Sequence, residues 1–256
     1  MEQQEKKTEE IRQEVRLNKY MAQCGICSRR EADRLISEGK VTVNGIKADA
    51  GRKIGSHDKV ALEGRVLDGG QRKVVLAYYK PVGVVCTERD PHAQTILSDM
   101  ISYPVRVTYA GRLDKDSEGL LLLTNDGDLI EKMMKGSHFH EKEYVVRTDK
   151  EITEPFLKKM SEGIYLEELK VRTRPCRVEK IGRCSFRIVL TQGLNRQIRR
   201  MCEALGYKVC KLKRIRVMNI SLTGLSTGEY RELTAEESRK LYQMANVVSE
   251  PLWIKK

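Results

Sequence analysis

The segment Gly111-Arg112-Leu113-Asp114-Lys115-Asp116-Ser117-Glu118-Gly119-Leu120-Leu121-Leu122-Leu123 joins a polar, charged stretch to an unbroken run of four leucines. The leucine run predicts a buried strand, and the polar stretch predicts the loop that enters it. A buried strand holds its flanking loop rigid, and reactive side chains are commonly carried by such loops. The segment is therefore the first candidate for an active site. A charged turn before a core strand is the simpler interpretation.

Composition points to a polyanionic partner. The 256 residues include 48 Lys and Arg against 36 Asp and Glu, which leaves a net charge of +12 and a pI of about 9.3. Such a surplus favours nucleic acid as the partner. The surplus is also concentrated, since residues 192–216 contain eight cations and a single acid, Glu203. Cations at that density repel one another unless a polyanion lies nearby.

Cysteine use and hydropathy predict a cytoplasmic protein. Seven cysteines, an odd number in a chain of this length, are typical of reduced thiols. Cys24-x-x-Cys27 has no second pair at zinc spacing, so both are predicted to pack in the core. No apolar run reaches the roughly 18 residues of a membrane span. The segment 1–14 is almost wholly polar and lacks the core of a signal peptide.

A small helix-and-hairpin fold is predicted after a polar tail. Ser28 followed three residues later by Glu31 has the form of a capping box, and Gly39 marks the end of that helix. The segment 41–48 predicts a hairpin in which Asn44-Gly45 forms a two-residue type I′ turn.

Four basic residues of this N-terminal region are candidate nucleic-acid contacts: Lys19, Arg29, Arg30 and Arg34. Residues 16–40 contain six basic and three acidic side chains. Arg29 and Arg30 lie in the first turn of a predicted helix, where the favourable partner is an anion. We therefore expect phosphates to approach this helix end from outside the protein.

Several motifs resemble known families. Leu17-x-Lys19-Tyr20, Ser28-Arg29-Arg30-x-Ala32 and Val43-Asn44-Gly45 resemble the S4 RNA-binding domain. Arg112-Leu113-Asp114, followed by Ser117-x-Gly119-Leu120-Leu121, resembles the catalytic loop of the rRNA pseudouridine synthases that carry an S4 domain. Lys80-Pro81-Val82-Gly83 resembles the opening of their catalytic domain, and its turn is expected to support the active site only indirectly.

Two further motifs of that family are matched, and the resemblance implies a role for each. Tyr144 in Lys142-Glu143-Tyr144 would pack against the target uracil. Arg199 in Arg196-Gln197-Ile198-Arg199-Arg200 would pair with Asp114, the implied nucleophile, on a helix that Asn195 is predicted to cap. Arg112 would fill the position vacated in the RNA when the base flips out, and Arg196 and Arg200 would bind the RNA.

The resemblance implies isomerisation of a uridine to pseudouridine within RNA. The target base must leave its stack before the sugar can be reached. Nothing is oxidised or consumed, so no metal or cofactor is expected, and no nucleotide-binding or metalloprotease motif occurs. Segments 28–33, 111–120, 140–144 and 194–203 resemble members acting on large-subunit rRNA more than those acting on the small subunit. Whether a tRNA is also a substrate stays open, and a monomer is expected.

Two other functions compete with this hypothesis. Asp114 and Asp116 form a D-x-D pair that could hold magnesium in a nuclease. Such a site requires further acidic residues from other motifs, and the other motifs of this chain are basic. A non-catalytic rRNA-binding assembly factor is the second alternative. The joint presence of Asp114, Tyr144 and Arg199 argues against it, because a pure binding protein has no use for all three.

The predicted fold class is α+β, because strands and helices interleave without a βαβ rhythm. We expect a disordered tail at 1–15, an S4 RNA-binding domain at 16–67 and a linker at 68–73. A pseudouridine synthase catalytic domain with a mixed, largely antiparallel sheet is expected at 74–256.

Overall fold

The computed structural model describes residues 14–69, 71–87, 95–135 and 139–247. The chain forms two compact units, Met1–Gln71 and Arg72–Lys256, and the division falls within the predicted linker at 68–73. Among the described residues, no helix has both the length and the apolar character needed to cross a bilayer.

The N-terminal unit combines a helix pair with a small antiparallel sheet. Its elements are β1 (Val15–Arg16), α1 (Leu17–Gln23), α2 (Arg29–Ser37), β2 (Val41–Val43), β3 (Ile46–Lys47), β4 (Lys53–Ile54), β5 (Val60–Leu62) and β6 (Arg65–Val66). The sheet has the order β3-β2-β5-β6, and β1 pairs with β4. The two helices and the sheet enclose one apolar cluster, which includes Leu17, Met21, Ala32, Ile36, Val41 and Val60.

Local sequence signals specify much of this unit. The Ser28 hydroxyl accepts a hydrogen bond from the Glu31 backbone N–H at 3.2 Å, which confirms Ser28 as the N-cap of α2. Asn44 and Gly45 have φ angles of 54° and 81°, so the predicted type I′ turn joins β2 and β3. The predicted disordered tail extends too far, because Val15 pairs with Ile54 in the β1–β4 ladder. Its remainder, 1–13, lies outside the described residues.

The C-terminal unit is built on a nine-stranded mixed sheet. Its strands and helices are β7 (Val75–Lys80), β8 (Thr108–Tyr109), β9 (Glu118–Thr124), α3 (Gly127–Met134), β10 (Lys142–Thr148), α4 (Glu154–Glu162), β11 (Tyr165–Leu166), β12 (Val171–Arg172), β13 (Arg177–Gly182), β14 (Ser185–Leu190), α5 (Gln197–Ala204), β15 (Val209–Val217), β16 (Ile220–Ser221), β17 (Tyr230–Glu232) and α6 (Ala235–Met244). The main order is β13-β14-β10-β15-β9-β7-β17, with β16 beside β15 and β8 beside β9.

Strand β9 lies inside this sheet, between β15 and β7, and is buried on both faces. Leu120 and Leu122 belong to an apolar cluster with residues of α3 and α6. Leu121 and Leu123 belong to a second cluster, here called the loop cluster, with Leu76, Tyr78, Val84, Cys86, Leu97 and Leu113. Burying a leucine side chain contributes roughly 1.5–3 kcal/mol, so the four together hold β9 firmly. The predicted buried strand after the polar loop is confirmed.

The arrangement of strands confirms the predicted α+β class with a mixed, largely antiparallel sheet. Strand β9 pairs antiparallel with β7 and parallel with β15, and the other ladders of the sheet are antiparallel. The parallel pair brings Gly119 opposite Arg214. Strand β15 also pairs with β10, which carries Tyr144. Only β15 therefore separates Tyr144's strand from β9, which follows the polar loop.

Candidate active site

The segment 110–117 forms a loop that leads into β9, and buried residues hold it on either side of Asp114. Leu113 is 7% exposed and packs in the loop cluster, and Ser117 is 1% exposed. The Ser117 backbone N–H donates to the Asp114 carbonyl at 3.1 Å, which closes a turn. The Asp114 side chain is 36% exposed. The structure therefore presents the predicted nucleophile as a partly exposed carboxylate on a fixed loop.

Asp116 is held by two arginines that flank the start of α5. Arg196 donates to both carboxylate oxygens, from Nη1 to Oδ1 at 3.1 Å and from Nη2 to Oδ2 at 2.9 Å. Arg199 Nε lies 3.2 Å from Asp116 Oδ2, and its Nη2 donates to the Asp116 carbonyl at 2.8 Å. Partial burial acts to raise the pKa of Asp116, but the Arg196 hydrogen bond and the two guanidinium charges outweigh it and lower the pKa.

The structure does not contain the expected ion pair between Arg199 and Asp114. Arg199 binds Asp116, and the cation nearest to Asp114 is Arg196, whose Nη1 lies 3.9 Å from Asp114 Oδ2. Arg199 is fixed there because its Nη1 also donates to the Val209 carbonyl. A D-x-D magnesium pair is also disfavoured, because both Asp116 oxygens already accept from an arginine.

Asn195 does not cap α5. The N-cap is Arg196, which has left-handed backbone geometry (φ 49°) and makes no side-chain capping bond. The Gln197 side-chain oxygen instead accepts from the Leu194 backbone N–H at 3.1 Å, which closes the turn before the helix. The Asn195 side-chain oxygen accepts from Arg200 Nη2 at 3.5 Å and does not accept from a backbone N–H of the first turn, so the predicted cap is wrong. With this left-handed backbone, the Arg196 side chain reaches Asp116.

Tyr144 is brought close to the catalytic loop by the sheet. It lies on β10, is half-buried, and packs against the loop cluster that contains Leu113. Its register partner on β15 is Arg214. Arg214 in turn lies under the loop, since its Nε donates to the Leu120 carbonyl at 2.7 Å and its Nη1 to the Arg112 carbonyl at 3.2 Å. The predicted residues Asp114 and Tyr144 thus share one end of the sheet.

Sequence reasoning missed two buried cations at this site. Lys80 has no exposed surface, and its Nζ donates to the Pro81 and Val84 carbonyls at 2.7 and 2.8 Å. Burial lowers the pKa of Lys80, while the charges of Asp114 and Asp116 act in the opposite direction. Arg214 is 2% exposed. The Lys80-Pro81-Val82-Gly83 motif was a usable signal for Lys80, whereas Arg214 resembles any other cation of its basic strand.

A cavity of about 880 Å³ adjoins the loop on the α5 side. Four cations, Arg196, Arg199, Lys208 and Lys211, line it together with three acids, Asp116, Glu118 and Glu203. Asp114 and Tyr144 do not line it. The cavity is thus a groove of mixed charge beside the predicted catalytic residues, and because Arg196 and Arg199 already bind Asp116, Lys208 and Lys211 are the cations of its wall that could meet a phosphate.

The other candidate RNA contacts differ in whether a carboxylate already neutralises them. Arg29, Arg30 and Arg112 are exposed and make no ion pair with any described residue. Arg34 pairs with Glu31 and Glu38, and Arg200 pairs with Glu168. Lys19 is half-buried on α1. The unpaired arginines are the side chains most available to an incoming phosphate.

Comparison with known proteins agrees with this geometry. The family model described as RNA pseudouridylate synthase matches residues 74–204, and the S4 domain model matches residues 15–60. The dual-specificity RNA pseudouridine synthase RluF of Escherichia coli K12 is 47% identical over 232 residues, which cover 90% of this chain and 79% of that protein. The ribosomal large subunit pseudouridine synthase B of Bacillus subtilis is 36% identical, over 90% and 97% of the two chains.

A solved structure supports the fold as well. A crystal structure of a pseudouridylate synthase superposes with a TM-score of 0.66 at 30% identity and covers 89% of this chain and 99% of its own. The match to the large subunit synthase of Bacillus subtilis also agrees with the likeness of segments 28–33, 111–120, 140–144 and 194–203 to large-subunit enzymes. Sequence motifs, fold and relatives therefore converge, and the chain belongs to the RNA pseudouridylate synthase family, with an S4 domain at its N-terminus.

Proposed function

We propose that this enzyme converts a specific uridine of large-subunit ribosomal RNA to pseudouridine, with Asp114 as the catalytic carboxylate. The observation that carries the assignment is the contrast between the two loop aspartates. Asp116 is neutralised by Arg196 and Arg199, whereas Asp114 is partly exposed and its nearest cation lies 3.9 Å away. The related large-subunit synthase of Bacillus subtilis supports the choice of RNA.

The reaction breaks the N1–C1′ bond of the target uridine, turns the uracil over and forms a C5–C1′ bond. The C5 proton is lost and N1 gains one, so no other compound is consumed. The Asp114 carboxylate stabilises or attacks the sugar while the glycosidic bond is broken. The flipped uracil stacks on Tyr144, and Arg112 fills the vacated position in the RNA. Arg199 acts through Asp116 to hold the loop in place.

The N-terminal unit supplies affinity, and the C-terminal unit supplies chemistry. We propose residues 16–67 as the RNA-binding domain and 74–256 as the catalytic domain. Arg29 and Arg30 bind phosphates directly, and Lys19 and Arg34 lie on the same helix pair. In the C-terminal unit, Arg196 at the start of α5 and Arg200 within it are further RNA contacts. Such contacts position the RNA and make its binding sensitive to salt.

The setting of the enzyme follows from its chemistry and composition. All seven cysteines are free thiols, which supports a reducing, cytoplasmic location. We propose that the enzyme acts as a monomer without a metal or cofactor. Because RluF is a dual-specificity enzyme, a tRNA is worth testing as a second substrate.

Nucleoside analysis of RNA tests the assignment. Unmodified large-subunit rRNA is incubated with wild type or with Asp114→Asn, with no added cofactor. Wild type should form pseudouridine at one site, and Asp114→Asn should be slower by at least about a thousandfold while binding RNA with similar affinity. The asparagine keeps the shape of the side chain and removes its charge.

A matched control is Glu131→Gln, an equivalent charge removal on the exposed face of α3, which should leave the rate unchanged. Equal loss of binding and turnover in Asp114→Asn would contradict a catalytic role. No product from wild type, on naked or ribosome-assembled RNA and on tRNA, would favour the assembly-factor alternative.

A further inference from the structure

Arg214 is a buried cation with one unused donor. Two of its nitrogens bind the carbonyls of Leu120 in β9 and Arg112 in the loop, on either side of Asp114 in the chain. Its Nη2 is buried and has no hydrogen-bond partner among the described residues. No carboxylate of that part of the chain forms an ion pair with it. A buried guanidinium N–H without an acceptor is costly, so an acceptor from outside the protein would be favoured at this position.

Lys142 is a second cation whose ammonium group has no partner among the described residues. It lies on β10, two residues before Tyr144, is half-buried, and its Nζ makes no hydrogen bond or ion pair within the described segments. Burial, together with the charge of Arg214, lowers the pKa of Lys142 to about 8. Lys142 and Tyr144 are two residues apart on β10 and therefore lie on the same face of the sheet, where Arg214 is the register partner of Tyr144, so the two cations lie on one face and repel each other.

Neighbouring carboxylates do not relieve this repulsion. Glu141 and Glu143 flank Lys142 in sequence, but Arg216 binds both, Glu141 at 2.9 Å and Glu143 at 2.6 Å. The register partners of Lys142 itself are Val217 on β15 and Leu190 on β14, which carry no charge.

The remaining charged groups near Arg214 are accounted for. The Lys80 ammonium lies near Arg214 and is already bound by two carbonyls. Asp114 is left as the acid of the site, because Asp116 binds Arg196 and Arg199. The unmatched positive charge therefore belongs to Arg214 and Lys142.

The location of this charge suggests its ligand. Arg214 is the register partner of Tyr144 and supports the loop that presents Asp114. A base stacked on Tyr144 would lie beside it. When the N1–C1′ bond breaks, its electron pair stays on the uracil ring, and the negative charge spreads onto the ring carbonyl oxygens. The same pair then forms the C5–C1′ bond, the C5 proton is released, and N1 takes up a proton.

We propose that Arg214 and Lys142 form an anion site that binds a carbonyl oxygen of the uracil ring while the detached base is negatively charged. This inference rests on the proposed function, since it needs a uracil as the leaving group. Preorganised cations aimed at a developing charge stabilise the transition state more than the ground state. Lys142 acts here as an ammonium, and its pKa rises again when the anion binds.

The test compares wild type, Lys142→Met and Lys142→Arg. Single-turnover rates of pseudouridine formation are measured on the rRNA fragment from pH 6 to 10, with the RNA dissociation constant measured in parallel. Lys142→Met should be slower by about a hundredfold at pH 7 with nearly unchanged affinity. The wild-type rate should fall as the pH rises above about 8, whereas Lys142→Arg should keep its rate to higher pH.

Lys158→Met, an exposed substitution on α4, is the control for removal of a lysine charge. Because Arg214→Met removes two loop contacts and could fail to fold, the test does not depend on it. An inactive wild type would overturn the proposed function. If wild type is active and Lys142→Met has the same single-turnover rate, the anion site is overturned but the proposed function is not. If the wild-type rate rises through pH 8 and Lys142→Arg is inactive, Lys142 acts as a neutral base. That outcome also overturns the anion site.

Discussion

Asp114 and Asp116 are separated by one residue but lie in different electrostatic surroundings. Arg196 covers both oxygens of Asp116, and Arg199 approaches one of them. A carboxylate bound in this way is a poor nucleophile and a good structural anchor, because its charge is already compensated. Asp116 therefore ties the loop to α5, and Asp114 is left available to the substrate.

This anchoring predicts that Asp116→Asn is less stable than wild type, and that the difference depends on pH. The pKa of Asp116 is lower in the folded protein than its ordinary value of 3.8. Its ionised form therefore stabilises the fold fully above about pH 4, and that stabilisation is lost as the pH falls through the folded pKa. Melting curves of both proteins between pH 7 and 3 should show the gap in melting temperature closing at the acidic end.

Asp33→Asn, an exposed substitution in the N-terminal unit, serves as the comparison, and the melting temperature of the catalytic unit should not change at any pH in that range. A gap between wild type and Asp116→Asn that stayed constant down to pH 3 would mean that the ion pairs with Arg196 and Arg199 do not stabilise the fold.

The junction of β9 with β15 is the point at which the catalytic loop is joined to the sheet. Gly119 has a φ of 113°, and a Cβ at this position would lie 2.2 Å from the Arg214 carbonyl oxygen and 2.7 Å from its nitrogen. Both atoms are backbone and belong to a paired strand, so they cannot move aside individually. A glycine is therefore required where the parallel strands approach each other.

We predict that Gly119→Ala lowers the free energy of unfolding by at least about 2 kcal/mol, because the methyl group forces β9 and β15 apart and strains the backbone. It should also slow pseudouridine formation, since Arg214 supports the loop at the carbonyls of Arg112 and Leu120. Urea unfolding and single-turnover rates measure the two effects.

Gly127→Ala is the matched control. Gly127 is the exposed first residue of α3, and a Cβ added there would meet no atom within 4 Å. Alanine at this position should be neutral or stabilising by up to about 1 kcal/mol. Equal stability of Gly119→Ala and Gly127→Ala would show that the strands can separate without cost.

The charge of the whole molecule governs how it binds RNA. A net charge of +12 favours association with a polyanion, but the salt dependence of binding reports only the cations that contact phosphates. Arg29 and Arg30 are exposed at the start of α2 and have no ion-pair partner among the described residues. They are therefore expected to contribute to that dependence.

For Arg29→Ala with Arg30→Ala, we expect RNA affinity to fall roughly tenfold at 0.1 M salt and the slope of log K against log salt to fall by roughly 1 to 2 in magnitude. Filter binding across a salt series measures both. The double variant Lys59→Ala with Arg65→Ala removes two exposed cations from the hairpin side of the same unit and should change the slope less. An identical slope in the two double variants would show that the α2 end is not an RNA contact.

Local patterns in the chain are sufficient for the elements and for the candidate reacting residues. The Ser28 cap, the Asn44-Gly45 turn and the buried leucine strand each depend on neighbours within a few residues, so the linear sequence contains the signal. The loop that carries Asp114 and the strand that carries Tyr144 are likewise found from motifs. Interleaved strands and helices likewise predict an α+β fold with a largely antiparallel sheet, and the family resemblance adds that the sheet is mixed.

Tertiary structure alone decided which charges meet. Arg199 was expected to bind Asp114 but binds Asp116. Which aspartate it binds depends on how α5 packs against the loop, and about 80 residues of chain separate the two. Lys80 and Arg214 became parts of the site only when β7, β9 and β15 were placed side by side. Strand order and register are set by the packing of the whole sheet, and a single amino acid or local motif does not encode them.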